Sequence, residues 1–132
     1  MTSQGLLKDT RGAAMIEFAF ALPVIAMVML GILQMGIVLH ASGGMRHALG
    51  EGIRYARVNP EATDAQVETY ARAAMLGIDG SAIRSLTFDR GTTAGGQSFG
   101  RITMRYDIAP VIPFVPLPPF ALNKTKTTYL PY

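Results

Sequence analysis

Residues 18–39 read FAFALPVIAMVMLGILQMGIVL and are apolar from end to end apart from Gln34. As an α-helix these 22 residues extend for about 33 Å, which matches the hydrocarbon core of a bilayer, about 30 Å thick. The competing interpretation is a core helix of a soluble domain. The rest of a 132-residue chain could hardly cover a helix that is hydrophobic on all sides, so we predict a membrane-spanning helix.

Two short motifs flank this stretch. Residues 11–18 read RGAAMIEF, so four residues separate Gly12 from Glu17, and Phe18 follows directly. An ionisable side chain at the edge of a bilayer is costly without a partner, which makes Glu17 a candidate functional residue. The second motif, GEGIRYA, occupies residues 50–56, beyond the apolar stretch.

The first motif resembles the prepilin peptidase site of Flp/Tad pilins, in which a glycine and four residues precede Glu and then Tyr or Phe. The resemblance implies cleavage between Gly12 and Ala13, which removes residues 1–12 as a leader. In such pilins the Glu is thought to neutralise the terminal amine of a neighbouring subunit, which implies an assembly role for Glu17 beside Phe18. The alternative is an interfacial carboxylate that favours the positive end of the helix dipole.

The second motif is similar to the REGARYA segment of TadE-like pseudopilins. The positions that carry the likeness are Glu51, Gly52, Arg54 and Tyr55. The family usually has alanine where this chain has Ile53. Two motifs in the same order make residues 11–58 resemble a TadE-like minor pseudopilin, and beyond residue 60 the resemblance depends on architecture.

This resemblance implies a minor pseudopilin that enters, or primes the assembly of, a Flp/Tad type IV pilus and supports adherence or secretion. Its implied partners are the prepilin peptidase, other pilin or pseudopilin subunits along the N-terminal helix, and the bacterial inner membrane. The implied location is a single-pass membrane protein with its C-terminal domain in the periplasm, and the extracellular pilus after assembly. Two alternatives remain open: an uncleaved single-pass component of the Tad machinery, and a membrane-anchored periplasmic binding module.

The orientation in the membrane follows from the resemblance and not from the charges. Lys8 and Arg11 precede the apolar stretch, whereas Arg46, Arg54 and Arg57 follow it. The positive-inside rule places the more basic flank in the cytoplasm, and this count does not favour a cytoplasmic N-terminus. The family resemblance implies a cytoplasmic leader.

We predict that the helix continues beyond the membrane as a stalk and ends at Asn59-Pro60, because proline interrupts helices. Apolar residues recur there at intervals of three and four, as on one helix face: Val38, Ala41, Met45, Leu49, Gly52 or Ile53, and Ala56. A helix over residues 13–58 is about 69 Å long. Gly43 and Gly44 predict a bend or break in the isolated helix, since each glycine costs about 1 kcal/mol relative to alanine.

Residues 59–132 are predicted to form one small α+β domain. Thr63 and Gln66, three residues apart, have the pattern of a capping box at the start of a helix. We predict that this helix extends to about Leu76 and ends at Gly77. Its apolar face is expected to dock on the stalk or on the sheet that follows.

The last third of the chain predicts strands. Residues 86–89 alternate between apolar and polar, and a turn is predicted over residues 91–98. The clearest alternation follows, with Ile102, Met104, Tyr106 and Ile108 between Arg101, Thr103, Arg105 and Asp107. Residues 120–130 predict a polar final strand, in which Lys124 and Lys126 suit an exposed edge. The predicted fold is therefore α+β and pilin-like, with a long helix, a short helix and a small antiparallel sheet.

A proline-rich segment, residues 109–120, separates the last two predicted strands. Its five prolines are Pro110, Pro113, Pro116, Pro118 and Pro119. Such a segment is stiff and extended and cannot form a central strand. Most of its other side chains are large and apolar: Val111, Ile112, Phe114, Val115, Leu117 and Phe120. The segment either packs over the sheet or forms a contact patch for a partner, and the sequence leaves both open.

Composition and charge exclude several classes of function. The 12 basic and 9 acidic residues are scattered and form no stripe for nucleic acid. The chain has no cysteine, which excludes disulfides and thiolate chemistry. His40 and His47 lack acidic or thiolate companions at ligand spacing, so we interpret them as interfacial polar residues. We expect no cofactor, no metal and no enzymatic activity.

Overall fold

The structure, a computed structural model, describes residues 10–112 and 116–131, with side chains from Gly12 onward. Most of the predicted leader, residues 1–9, lies outside this range, as do residues 113–115 of the proline-rich segment. The described elements are two α-helices, a short 3-10 helix and three strands. The predicted α+β layout is confirmed.

Helix α1 spans Thr10–Val58 without interruption, so it continues through Pro23. The bend or break predicted for the isolated helix at Gly43-Gly44 does not occur in the folded chain. Ile78 packs against Gly44 so closely that a Cβ there would lie 3.0 Å from Ile78 Cδ1. Tertiary packing therefore supports the helix where its own sequence is weak.

The two halves of α1 have different surroundings. Between Met15 and Val28 every large apolar side chain is at least half exposed. From Ala41 onward one face is buried, and its residues are Ala41, Met45, Ala48, Leu49, Ile53 and Ala56. The predicted apolar face of the stalk is thus confirmed. The apolar first half does not serve as a core helix in the described chain, which argues against a soluble domain wrapped around it.

Helix α2 spans Asp64–Ala73 and begins with the predicted capping box. The Gln66 backbone N–H donates to Thr63 Oγ1 at 3.3 Å, and the Thr63 N–H donates to Gln66 Oε1 at 2.9 Å. Val67 and Ala71 are buried on the face that packs against α1 and the sheet. The predicted docking face is confirmed.

Helix α2 ends three residues before the predicted end at Leu76. Its last turn tightens, because the Met75 N–H donates to the Arg72 carbonyl three residues back, at 3.3 Å. Gly77 has φ 71°, a left-handed conformation that leads the chain into a 3-10 helix at Gly80–Ala82. The prediction that Gly77 ends the helix is therefore wrong, because Gly77 lies in the loop that follows α2.

Three strands form one antiparallel sheet in the order β1-β2-β3: Ile83–Thr92, Ser98–Ile108 and Phe120–Tyr129. The predicted turn over residues 91–98 is shorter in the structure. Strand pairing continues through Gly91 opposite Phe99 and Thr92 opposite Ser98, which leaves residues 93–97 as the turn. Strand β3 lies at an edge, as predicted for the strand that carries Lys124 and Lys126.

Both helices cover one face of the sheet, and we call α2, the 3-10 helix and the three strands the headpiece. In β2 the predicted alternation is confirmed, because Ile102, Met104, Tyr106 and Ile108 are all buried. On the open face Thr103 Oγ1 lies 3.2 Å from Thr125 Oγ1, and Arg84 pairs with Asp107. The core therefore lies between the sheet and the second half of α1.

Strand β2 runs along α1 in the opposite direction. Ile102 lies against the helix at Gly52, whereas the Val111 backbone N–H, beyond the end of β2, donates to Gln34 Oε1 at 2.7 Å. These two points on the helix are about 27 Å apart. The end of β2 and the start of the proline-rich segment therefore lie at the junction between the headpiece and the apolar half of α1.

Arg90 connects strand β1 by hydrogen bonds to the chain between α1 and α2 and to the first residue of α2. Its Nε donates to Asp64 Oδ1 at 2.9 Å, and its Nη1 donates to the Pro60 carbonyl at 3.2 Å. Its Nη2 donates to the Ala62 carbonyl, and its guanidinium lies 5.5 Å from the centroid of the Phe88 ring. A planar fork of donors suits this set of acceptors, and an ammonium does not reproduce it.

We expect Arg90→Lys to lower the free energy of unfolding of the headpiece by about 1–3 kcal/mol, because two or more hydrogen bonds are lost. The matched control is Arg101→Lys, since Arg101 also lies 5.5 Å from a ring centroid, that of Phe99. A surface change of that kind stays within about 0.5 kcal/mol. Urea unfolding in detergent micelles, monitored by hydrogen exchange of the β2 amides, measures the free energy of unfolding of both variants. Equal effects of the two variants would contradict the role assigned to Arg90.

Candidate functional site

The first motif lies near the start of α1, on a part of the helix that carries no headpiece. Gly12 and Ala13 are already helical, and Glu17 and Phe18 follow within the next two turns. All four residues are exposed. The motif is therefore open to a partner from solvent or from the membrane.

Gly12 has no packing reason to be glycine in the part of the chain that the structure describes. A Cβ built on Gly12 would meet no neighbouring atom within 4 Å, and its φ is not left-handed. Alanine would favour the helix by about 1 kcal/mol at such a position. If glycine is needed at Gly12, the need comes from a partner and not from this fold.

Glu17 is the only ionisable residue in the sequence between Gly12 and Leu39. It lies four residues after Ala13, so the two positions share a helix face and lie about 6 Å apart. A carboxylate in an apolar environment is stable only with a cation or with hydrogen-bond donors. The geometry therefore permits a pairing with a positive group near position 13, from the same chain or from a neighbour.

The second motif lies about 51 Å further along the same helix, measured from Glu17 to Glu51. Arg54 Nε lies 3.3 Å from Glu51 Oε2, in a pair between residues three apart whose arginine is exposed and whose glutamate is half-buried. Such pairs contribute about 0.3–0.5 kcal/mol to a helix. The structure does not bring the two motifs together, so they cannot form one site within a single chain.

Gly52 is the point at which α2 and β2 both close on α1. A Cβ there would lie 2.8 Å from Ala71 Cβ and 2.9 Å from Ile102 Cδ1. Contacts that short do not occur, so the fold requires glycine at this position. Ile53, the departure from the family segment, is buried and fits the core without conflict.

Tyr55 completes the second motif with an aromatic contact. Its ring stacks on Tyr70 of α2 with 4.5 Å between centroids and an angle of 13° between planes. Stacked rings of this kind contribute about 0.5–1.5 kcal/mol beyond the area that they bury. The second motif therefore attaches the headpiece to the stalk. The described residues of the first motif are exposed and do not pack against the headpiece.

Sequence reasoning missed two polar contacts near the end of the apolar stretch. Besides the Gln34 contact with Val111, His40 Nε2 lies 2.6 Å from the Gly77 carbonyl, which connects α1 to the loop after α2. His40 is therefore a structural link as well as an interfacial polar residue. A lone Gln in an apolar run was the available signal, but its partner lies 77 residues away along the chain.

Among the described residues outside the apolar stretch, Asp79 and Arg84 have shifted pKa values, and both shifts have structural causes. The Ser81 backbone N–H donates to Asp79 Oδ1 at 2.8 Å, which caps the 3-10 helix and holds the pKa of Asp79 below its usual value. The hydrogen bond and the charge of Asp107 raise the pKa of Arg84. Both shifts stabilise the charged forms, so neither group gains acid or base character near neutral pH.

A family model described as TadE-like protein matches residues 12–54, about a third of the chain. The match begins at Gly12, contains Glu17 and Gly52, and ends one residue before Tyr55. No curated protein and no solved structure matches the chain. The resemblance to TadE-like proteins is thus confirmed along α1, and it supports involvement in the Tad pilus system. The same helix is long and apolar enough to span a membrane once.

Proposed function

Because the chain is similar to TadE-like proteins over residues 12–54, we propose that it is a minor pseudopilin. It is stored in the bacterial inner membrane and packs by α1 into a Flp/Tad pilus, or primes the assembly of one. In this proposal the leader lies in the cytoplasm and the headpiece lies in the periplasm. The chain is a structural subunit and not an enzyme.

The division of α1 into a bare half and a covered half carries this proposal. The headpiece packs on the second half, and the first half presents an apolar surface on all sides. In a membrane such a surface contacts lipid. In a filament the same surface can contact the equivalent helices of neighbouring subunits, because one apolar environment replaces another.

The first motif supplies two opposite charges, a terminal amine and the Glu17 carboxylate, that can pair when the helix moves from lipid into a filament. Cleavage between Gly12 and Ala13 frees a positive amine at the start of the mature helix. An unpaired charge in an apolar bundle is costly, and a carboxylate from a neighbour removes most of that cost. Glu17 is the only acid available in the apolar half of α1. The pairing therefore favours subunits that are stacked in register with their neighbours.

We expect Gly12→Ala to reduce cleavage of the chain by its prepilin peptidase by roughly tenfold or more, and filament production with it. One extra methyl group in a tight enzyme pocket changes rates by about 10- to 200-fold. The measurement is the fraction of shortened chain in membranes of cells with and without the peptidase, read by intact mass.

The matched control is Gly36→Ala, because Gly36 lies on the same helix and a Cβ there also meets nothing within 4 Å in the described chain. Normal cleavage and normal pili with both variants would contradict the proposal. If the wild-type chain keeps residues 1–12 and pili require the chain, the uncleaved machinery component is favoured. If the wild-type chain keeps residues 1–12 and pili form equally well without the chain, the membrane-anchored binding module is favoured.

A further inference from the structure

We propose that residues 109–112 and 116–120, the described parts of the proline-rich segment, lie in the membrane interface, in the leaflet on the headpiece side of the bilayer that α1 spans. This inference rests on the membrane placement of α1 in the proposed function. The occupant of the apolar surface is lipid, at the level where acyl chains meet headgroups.

The depth of the segment follows from its contact with α1. The Val111 backbone N–H donates to Gln34 Oε1 at 2.7 Å. Gln34 lies five residues before Leu39, the end of the apolar stretch, so it lies about 7–8 Å below that level. A hydrogen bond holds Val111 at the height of Gln34. If residues 18–39 span the bilayer, the backbone at Val111 lies in the outer part of the hydrocarbon core, about 7–8 Å inside the end of the apolar stretch.

The side chains of the segment suit that position. Residues 109–122 contain no charged side chain and no side chain that can hydrogen-bond. Ile112 is 46% exposed, Leu117 is 45% exposed and Phe120 is 40% exposed. Packing over the sheet, the first of the two interpretations drawn from the sequence, leaves these surfaces uncovered. Continuity with the bare half of α1 makes lipid the occupant that fits them.

The backbone of the segment suits it as well. Irregular backbone is normally excluded from the hydrocarbon region, because its N–H and C=O groups lack partners there. Proline has no N–H group, so Pro110, Pro116, Pro118 and Pro119 present no donor to lipid. The Val111 donor is satisfied by Gln34. The described residues of the segment thereby bring few backbone N–H donors to the interface, since four of these nine residues are prolines.

The Gln34 amide shows that this contact is incomplete within the chain. Its Nε2 is buried and has no hydrogen-bond partner among the described residues. Its Oε1, in contrast, is the acceptor for Val111. A buried donor without an acceptor is costly, so a small rearrangement that gives it one is favoured. The nearest acceptors that lipid supplies are the ester oxygens of the interface, about 7–8 Å above this height, which a rearranged Gln34 side chain would approach.

The test uses the full chain, which has no cysteine, with single substitutions Ile112→Cys and Leu117→Cys. Each cysteine carries an environment-sensitive fluorophore, and the chain is placed singly in nanodiscs that contain lipids with a nitroxide near the glycerol. The reference for the membrane is Val28→Cys, with the nitroxide at mid-chain. The reference for solvent is Ala94→Cys, at the exposed turn between β1 and β2.

We expect the probes at Ile112→Cys and Leu117→Cys to lose most of their emission to the shallow nitroxide, and the probe at Ala94→Cys to lose none. If Val28→Cys is quenched while the two segment probes behave like Ala94→Cys, the inference is wrong and the membrane placement of α1 stands. If Val28→Cys is not quenched either, the membrane placement fails. Protection of the segment probes only when two chains share a nanodisc would identify a second copy as the occupant and overturn the inference.

Discussion

A chain with Glu17→Gln is expected to be cleaved normally and to fail to enter filaments. Glutamine keeps the size and helix propensity of glutamate but removes the charge. In the proposed filament, the terminal amine of the neighbour would then remain unpaired in an apolar bundle. Removal of one partner from a buried ion pair costs about 3–5 kcal/mol, which corresponds to roughly a hundredfold or greater loss of incorporation. The measurement is the ratio of chain in sheared filaments to shortened chain in membranes.

The matched control for this change is Glu51→Gln. It makes the same chemical replacement on the same helix, at a half-buried glutamate that pairs with the exposed Arg54. We expect a loss of at most about 0.5 kcal/mol in stability and no effect on incorporation. Normal incorporation of Glu17→Gln would contradict the assembly role and would favour the alternative, a carboxylate that interacts only with its own helix dipole.

Gly52→Leu is expected to unfold the headpiece while leaving the apolar half of α1 intact. A Cβ alone would approach Ala71 Cβ to 2.8 Å, and a leucine adds three further carbons in the same space. Overpacking of a core costs about 1–3 kcal/mol and more where the neighbours cannot move. Both neighbours are anchored in secondary structure, so we expect a loss of about 3 kcal/mol or more. Hydrogen exchange of the β2 amides in detergent micelles measures it.

The control is Gly43→Leu, at a position of the same helix where a Cβ meets nothing within 4 Å in the described chain. There the gain in helix propensity, up to about 1 kcal/mol, has no packing cost to offset it. The two variants should therefore change the headpiece stability in opposite directions. Faster exchange in both, by similar amounts, would contradict the role of Gly52 as the contact point of three elements.

Sequence periodicity predicted the parts of this fold that depend on local rules. The buried face of α1 follows from apolar residues at intervals of three and four, and the burial of β2 follows from strict alternation. The capping box at Thr63 is a pattern of four residues. Each of these signals is contained within a short window, so no knowledge of the tertiary fold is needed.

Long-range contacts were not predictable in the same way. Arg90 binds carbonyls 28 and 30 residues away, and Val111 binds Gln34 across 77 residues. The early end of α2 depends on how its last turn packs and not on Gly77. Partner choice at such separations depends on the complete arrangement of elements, which a local pattern does not contain.

In the candidate site, the sequence alone does not show which glycines the fold requires. The sequence presents Gly12 and Gly52 as equivalent glycines in family-like motifs. The structure separates them, because Gly52 is required by packing and Gly12 is not. The proposed roles of Gly12 and Glu17 involve a partner outside the chain, and the exposed helix around them is open to such a partner.

The most direct test is the mass of the chain extracted from membranes of the cells that produce it, with the proposed peptidase present and absent. We predict that the peptidase converts the full chain to a form that lacks residues 1–12 and begins at Ala13. We also predict that sheared pili contain only this shortened form. Detection of pili whose only form of the chain still carries Met1 would contradict the proposal.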